Sequence, residues 1–256
     1  MAREHQAGYM KKVKIIGHGW VGKAMRELFP DAIIQGRGEI KETCDIAFVC
    51  VPTPLKDGKL DTSIVEEVVD NCKEDLIVIR STIMPGTCDK FEDSGKNICF
   101  QPEYLGESIQ HPMTDQHARP FIIIGGEDAN RKRVIELYQT VFNANITIRQ
   151  VTNYEAEVIK LSENRAIAFK VAQCQELFDV CRKAGVDYNT IREAVYGDDP
   201  RFNLWWTFVY PDKRGFQSKC LPKDVYGWAS WAESLGYKPK ITRSILERNE
   251  QWIFQS

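Results

Sequence analysis

Apolar residues along the 256-residue chain follow two different periods. In the first half, short runs rich in β-branched residues, at 13–16, 32–34, 46–51, 76–79 and 121–124, read as buried strands. They alternate with stretches of helical spacing at 20–29, 63–72 and 129–142, which predicts a parallel sheet with crossover helices. Ile146-Thr147-Ile148 is expected to close the sheet. From Asn153 to Ala184 there is neither Gly nor Pro. Val158, Leu161, Ile167, Ala168, Val171, Leu177 and Val180 recur there at helical spacing, so one long helix is predicted, serving as a domain connector or a dimer seam. Helical patterns continue at 188–196, 222–235 and 240–254. The expected organisation is an α/β domain over residues 1–150 and an all-helical domain over residues 151–256.

Candidate chemistry begins where the first strand ends. Val13-Lys14-Ile15-Ile16 leads into Gly17-His18-Gly19-Trp20-Val21-Gly22 and then into a helical pattern. Strand, glycine turn and helix N-terminus together form a pyrophosphate cradle, because the glycines permit close backbone approach and the first helical N–H groups face the phosphates. The α/β half is therefore expected to be Rossmann-like. A second signal is Cys220, followed two residues later by Pro222. Proline suits the first turn of a helix, so the thiol is expected at a helix N-terminus, where the dipole favours thiolate. Three pairs at i, i+4 spacing, Glu103 with Glu107, Lys160 with Asn164 and Cys220 with Asp224, would each share one face wherever the chain is helical.

Composition narrows the possibilities. Hydrophobic residues make up 43% and charged residues 27%, as in ordinary globular proteins, and no apolar run approaches the roughly 20 residues of a membrane span. The start of the chain lacks a signal peptide's apolar stretch, so a cytoplasmic protein is expected. A net charge of −2 without a Lys/Arg block argues against nucleic acid or a membrane surface as partner. Eight scattered cysteines, with no C-x-x-C pair and no nearby histidines, suit neither a zinc site nor a disulfide framework, and no metal is expected. Cys50, Cys99 and Cys174 read as core. The aromatic cluster Trp205, Trp206, Phe208 and Tyr210 reads first as core packing, with a lid or base-stacking surface as the alternative.

Six ordered runs resemble the UDP-glucose/GDP-mannose dehydrogenases, which use NAD to oxidise the primary alcohol of a sugar nucleotide to a carboxylate. They are the glycine turn at 17–22, Phe48-Val49-Cys50-Val51-Pro52-Thr53-Pro54, Arg80-Ser81-Thr82-Ile83-Met84-Pro85-Gly86-Thr87, Gln101-Pro102-Glu103-Tyr104-Leu105-Gly106-Glu107, Lys160-Leu161-Ser162-Glu163-Asn164 and Cys220-Leu221-Pro222-Lys223-Asp224. The resemblance implies that Cys220 attacks an aldehyde intermediate, giving a thiohemiacetal and then a thioester that water hydrolyses. It implies that Lys160 and Asn164 stabilise the oxyanion and that Asp224 and Thr82 place a water. Glu103 would be the base for hydrolysis and Glu107 a more distant contributor. NAD would lie against Gly17, Gly19, Trp20, Val21, Gly22, Val51, Pro52, Thr53 and Thr82. A nucleotide-sugar substrate would lie against Glu103, Tyr104, Leu105, Lys160, Asn164, Gly215 and Lys223, and the family's long helix implies a homodimer.

Departures from the family pattern carry expectations of their own. The end of the second strand, Ala32-Ile33-Ile34-Gln35-Gly36-Arg37-Gly38, offers no acid for the adenosine ribose. Arg37 occupies that place and could accept a 2′-phosphate, which leaves NADP possible beside NAD. The chain is short between this strand and Cys44, where a helix and a strand are expected to be missing. The run before Cys220, Gly215-Phe216-Gln217-Ser218-Lys219, carries side chains where the family has glycines. The family's third, base-gripping domain is expected to be absent. The alternative to a minimal dehydrogenase is a non-catalytic, cofactor-binding or regulatory relative.

Overall fold

A computed structural model describes residues 11–106, 111–115, 117, 119–142 and 145–254. The first part runs β1 (Val13–Ile16), α1 (Trp20–Leu28), β2 (Ile33–Gln35) and β3 (Ile46–Val49), then a small hairpin of β4 (Leu55–Lys56) and β5 (Lys59–Leu60). It continues through α2 (Ser63–Asn71), β6 (Leu76–Ile79), α3 (Thr87–Asp93), β7 (Ile98–Phe100), β8 (Phe121–Gly126), α4 (Asp128–Tyr138) and β9 (Thr147–Val151). Seven strands form one sheet in the order β2-β1-β3-β6-β7-β8-β9.

Every residue of β1, β3 and β6 is buried, as expected for central strands covered on both faces. Alternation along the strands divides the core. Ile15, Phe48 and Val78 pack with Met25, Leu28 and Tyr138 on one face, while Ile16, Val49 and Ile79 pack with Val65, Val69 and Phe91 on the other. Lys14, buried within β1, is neutralised by the equally buried Glu74.

The sheet is mostly parallel, as expected, with one reversal. β1, β2, β3, β6 and β7 are parallel, whereas β7 pairs antiparallel with β8, and β9 runs parallel to β8. β8 begins at the end of the sheet at which β7 stops, so it runs reversed beside β7. Between β2 and β3 the chain passes through residues 36–45 without a helix.

The remainder is helical: α5 (Asn153–Ala184), α6 (Tyr188–Arg192) continued by a π-helical segment at Glu193–Asp198, α7 (Leu221–Ser234) and α8 (Lys240–Phe254). α5 has the predicted bounds because both ends carry stop signals. Thr152 and Glu155 close a capping box at its start, and Gly185, at φ 70°, ends it in the left-handed conformation. Its inward face includes Ala156, Lys160, Leu161, Asn164, Ala168 and Ala172, spaced by three and four residues, and small side chains among them let α7 pack closely. Among the described residues, no helix is long and apolar enough to cross a membrane.

Candidate active site

The parallel strands all end on one edge of the sheet, and most of the expected site residues lie there. In open α/β sheets this carboxyl edge is where ligands bind. Gly17 follows β1 at φ 92°, and a Cβ there would come within 2.5 Å of the Cys50 carbonyl oxygen. A Cβ on Gly22 would meet the Gly17 carbonyl oxygen at 2.1 Å, so both glycines are needed for the turn to close on α1. Gly19 differs, because a Cβ there would meet nothing within 4 Å. α1 begins beside that open space with no side-chain cap and no acid in its first turn. Its unsatisfied N–H groups and positive dipole end are what a pyrophosphate requires, so the turn fits a dinucleotide. Trp20 and Val21 form the first turn of α1, with Trp20 largely exposed.

Neighbouring strands complete this edge. After β3, Val51 is half-buried, Pro52 exposed and Thr53 buried. Ser81 ties this segment to β6 by accepting the Val51 N–H at 2.9 Å and donating to the Val51 carbonyl at 2.7 Å, which leaves Thr82 half-buried alongside. At the end of β2, Arg37 is exposed, but the apparent lack of an acid is corrected by Glu39. The turn brings Glu39 back so that its carboxylate accepts the Gly36 N–H at 3.0 Å, and this bond, helped by Lys41, holds its pKa below the ordinary value. The acid lay just beyond the stretch in which the sequence pattern directed attention.

A chain of contacts then joins the sheet edge to the helical part. Lys160 on α5 donates to the backbone carbonyl of Glu103 at 2.7 Å and lies 5.2 Å above the ring of Tyr104. One turn further along α5, Asn164 donates to Asp224 at 2.5 Å. Asp224 is fully buried in the first turn of α7, and its N–H bonds the carbonyl of Cys220 at 3.0 Å. Cys220 occupies the N-cap position of α7 with Pro222 in the first turn, as the sequence predicts, and is exposed. Of the other seven cysteines, six are buried and Cys72 is half-buried. Residues from the turn after β7, from α5 and from α7, 57 and 60 positions apart, are thus linked in a chain that ends at the N-terminus of α7, where Cys220 sits.

Other expected site residues have defined partners in this setting. Glu103 is buried, and its carboxylate is clamped between Arg80 and Arg119 while also accepting the N–H groups of Tyr104 and Leu105, each at 2.7 Å. Burial alone would raise its pKa, but Arg80, Arg119 and the two N–H groups outweigh it and hold the value at about 2. Arg80 and Arg119 were not singled out in the sequence, because no local spacing connects positions 80, 103 and 119. Lys223, expected on the substrate, donates to Asp224 at 2.6 Å. Gly215, at φ 72°, faces α8: a Cβ there would meet Asn249 Oδ1 at 2.5 Å, and Asn249 clamps Phe216 through both its N–H and its carbonyl. Glu107 lies outside the described residues.

The aromatic cluster before Cys220 is not core. Trp205, Phe208 and Tyr210 are about half exposed, and Trp206 is half-buried at φ 59° with its ring edge-on to His111. The Arg192 guanidinium stacks at 3.8 Å on the ring of Phe208. Short turns in this segment leave the rings too few neighbours to bury them.

Comparison with known proteins agrees with this geometry. Residues 34–142 match the NAD binding domain of the UDP-glucose/GDP-mannose dehydrogenase family and residues 154–251 its central domain. The match to an NAD binding domain supports NAD as the cofactor. The chain is 27% identical over 219 residues to a UDP-glucose 6-dehydrogenase of Rickettsia typhi, covering 80% of this chain and 49% of that protein. It is 28% identical over 273 aligned residues to a GDP-mannose 6-dehydrogenase of Pseudomonas putida, covering 94% and 61%. The chain therefore spans about half the length of these relatives. Its fold is similar to that of a UDP-glucose dehydrogenase from the archaeon Pyrobaculum islandicum, with a TM-score of 0.79 at 22% identity over 96% of this chain and 69% of the other.

Proposed function

Because the chain belongs to the UDP-glucose/GDP-mannose dehydrogenase family, we propose that it is an NAD-dependent dehydrogenase that oxidises the primary alcohol of a nucleotide sugar to a carboxylate, with Cys220 as the covalent nucleophile. The observation that carries this reading is the contact chain from the sheet edge through Lys160, Asn164 and Asp224 to the exposed Cys220. Residues up to about 150 form the cofactor half and those beyond it the substrate half.

NAD, when bound, supplies a hydride acceptor for each of two oxidations, alcohol to aldehyde and thiohemiacetal to thioester. Gly17 and Gly22 shape its pyrophosphate turn, and the open side of Gly19 admits it. The glutamate at the end of β2 opposes a 2′-phosphate, whereas the exposed Arg37 would attract one, so NAD is preferred with NADP as a weaker substitute. The Cys220 thiolate, favoured by the N-terminus of α7, attacks the aldehyde carbon. Lys160 and Asn164 lie on one face of α5, where an ammonium and an amide N–H can both meet the resulting oxyanion. Asp224 orients Asn164 and Lys223 from a buried position, and Glu103 acts as a positioning residue that stiffens the turn presenting its own carbonyl to Lys160.

Water finally cleaves the thioester, releasing the acid and regenerating Cys220. The same reading expects a cytoplasmic homodimer without nucleic acid or membrane partners. The test is absorbance at the reduced-nicotinamide band when NAD is mixed with the chain and either UDP-glucose or GDP-mannose. Reduction that is lost in Cys220→Ala, with calorimetric NAD binding unchanged, is the expected result. NAD binding without reduction by any nucleotide sugar would favour the non-catalytic relative.

A further inference from the structure

Cys220 is carried to the N-terminus of α7 by a short loop, and the anchors of that loop decide where the thiol stands. Arg214 opens the loop and is buried. Its guanidinium donates from Nε to Gln175 Oε1 at 2.5 Å, and from Nη2 to the Gln175 carbonyl at 3.2 Å and to Asp179 Oδ1 at 2.7 Å. It also lies 4.8 Å from the centre of the Phe178 ring. Asp179 is held in turn by Trp252 Nε1, which donates to its Oδ2 at 2.8 Å, and by Arg248 at 3.5 Å. A planar fork with several fixed donors sets an orientation as well as a contact. Further ties follow along the loop. Gln217 Nε2 donates back to the Arg214 carbonyl at 2.8 Å, Asn249 clamps Phe216, whose side chain is buried with Ala168 and Val225, and Ser218 Oγ accepts the Leu221 N–H at 3.1 Å. The side chains that stand out in the sequence at 217 and 218 therefore tie the loop to itself and to α7.

The attachment point gives this anchor its significance. Gln175 and Asp179 lie on α5, the helix that also carries Lys160 and Asn164, and Gln175 is about 16 Å beyond Asn164 along one continuous helix. We propose that Arg214, gripped by Gln175 and Asp179, is a positioning residue that fixes the Cys220 thiol relative to Lys160 and Asn164. The inference rests on the dehydrogenase reading above, which gives the thiol its task. Thiol and oxyanion donors are then both referenced to α5, the loop through Arg214 and α7 through the bond from Asn164 to Asp224. Sulfur must meet the aldehyde carbon along a narrow approach, and a displacement of ~1 Å costs ~100-fold in rate. The first oxidation, alcohol to aldehyde, uses no sulfur. Loss of the anchor therefore bears on the second oxidation, and the aldehyde escapes before it is captured.

Arg214→Met, Arg214→Lys, Asp179→Asn and Arg248→Met, made in the full 256-residue chain, test the assignment by two measurements. One is NADH formed per sugar consumed with UDP-glucose or GDP-mannose, free aldehyde being trapped as a hydrazone. The other is the pH profile of Cys220 alkylation by iodoacetamide, read by peptide mass spectrometry. In Arg214→Met and Asp179→Asn, acid formation should fall by ~100-fold and NADH per sugar should drop from two toward one with aldehyde trapped, while calorimetric NAD binding is unchanged. Their alkylation profile should move to higher pH, because a thiol displaced from the helix end loses the dipole that favours thiolate. Arg214→Lys keeps the charge without the fork and should fall between these and wild type. Arg248→Met removes the other guanidinium of Asp179 without touching the loop, so it should keep two NADH per sugar and the wild-type profile. Two NADH per sugar with an unmoved profile in Arg214→Met, or an equal loss in Arg248→Met, would overturn the proposal. Should Arg214→Met not fold, wild-type values of both measurements in Arg214→Lys and Asp179→Asn overturn it as well. A wild-type chain that reduces NAD with neither sugar overturns the dehydrogenase reading, a result separate from the alkylation profiles, which uphold or overturn the anchoring of the thiol on their own.

Discussion

At the scale of single residues, two glutamates near the site are shifted in opposite directions, Glu103 downward and Glu163 upward. Glu103 is ionised and held by Arg80 and Arg119, so its removal leaves two buried guanidinium groups without their counter-charge. Glu103→Gln should therefore destabilise the protein by ~3–5 kcal/mol in urea unfolding, whereas a residue serving only as a base would leave stability nearly unchanged. The pH dependence has a definite sign. With a folded-state pKa of about 2 against an ordinary value of 4.5, the carboxylate's stabilisation is complete above pH 4.5 and is lost as pH falls toward 2. The linked change is about 3 kcal/mol, measurable as a fall in the urea midpoint over that window that Glu103→Gln does not show. Burial raises the Glu163 pKa from 4.5 to about 7, so its ionisation costs the fold stability as pH rises from 4.5 to about 7 and no further above it.

At the scale of elements, the glycine turn gives a paired test. Gly17→Ala forces a Cβ against the Cys50 carbonyl at a backbone angle that alanine avoids, and should cost both stability and NAD binding. Gly19→Ala meets no neighbour, so it should leave the urea midpoint unchanged while weakening NAD binding by ~10-fold or more, because the methyl enters the space left for the pyrophosphate. Equal NAD affinity in Gly19→Ala and wild type, by calorimetry, would remove the cradle from the account. The legibility of elements followed local signals. α5 was readable to its ends because a capping box, an uninterrupted helical period and a terminal glycine coincide, and the strand, glycine turn and helix of the cofactor edge were readable for similar reasons. β7 escaped notice because it is only three residues long, and α3 and the β4–β5 hairpin are similarly short. The reversal of β8 depends on where a long connection re-enters the sheet, which no period records. Apolar content misled at Trp205 and Phe208, since composition reports a ring's chemistry and not the number of neighbours its backbone allows it. The Arg80–Glu103–Arg119 cluster was invisible for a related reason, being made by tertiary contact alone.

At the scale of the whole molecule, the cofactor edge and the thiol belong to different halves, and α5 is the element that joins them. Away from the thiol, the same helix lines a concavity of about 700 Å³ together with Tyr196, Phe202, Ile245 and Arg248. If the proposed homodimer holds, sedimentation at micromolar concentration should show a dimer. A monomer there would remove the dimer from the account without touching the active site. The central claim is that one thiol carries a four-electron oxidation at this junction. Its most direct measurement is the ratio of NADH formed to sugar acid released by the wild-type chain with a nucleotide sugar at limiting concentration. A ratio of two, with no aldehyde released and no turnover in Cys220→Ala, is what the account predicts. A ratio of one with free aldehyde as product, or turnover that survives the loss of Cys220, would contradict it.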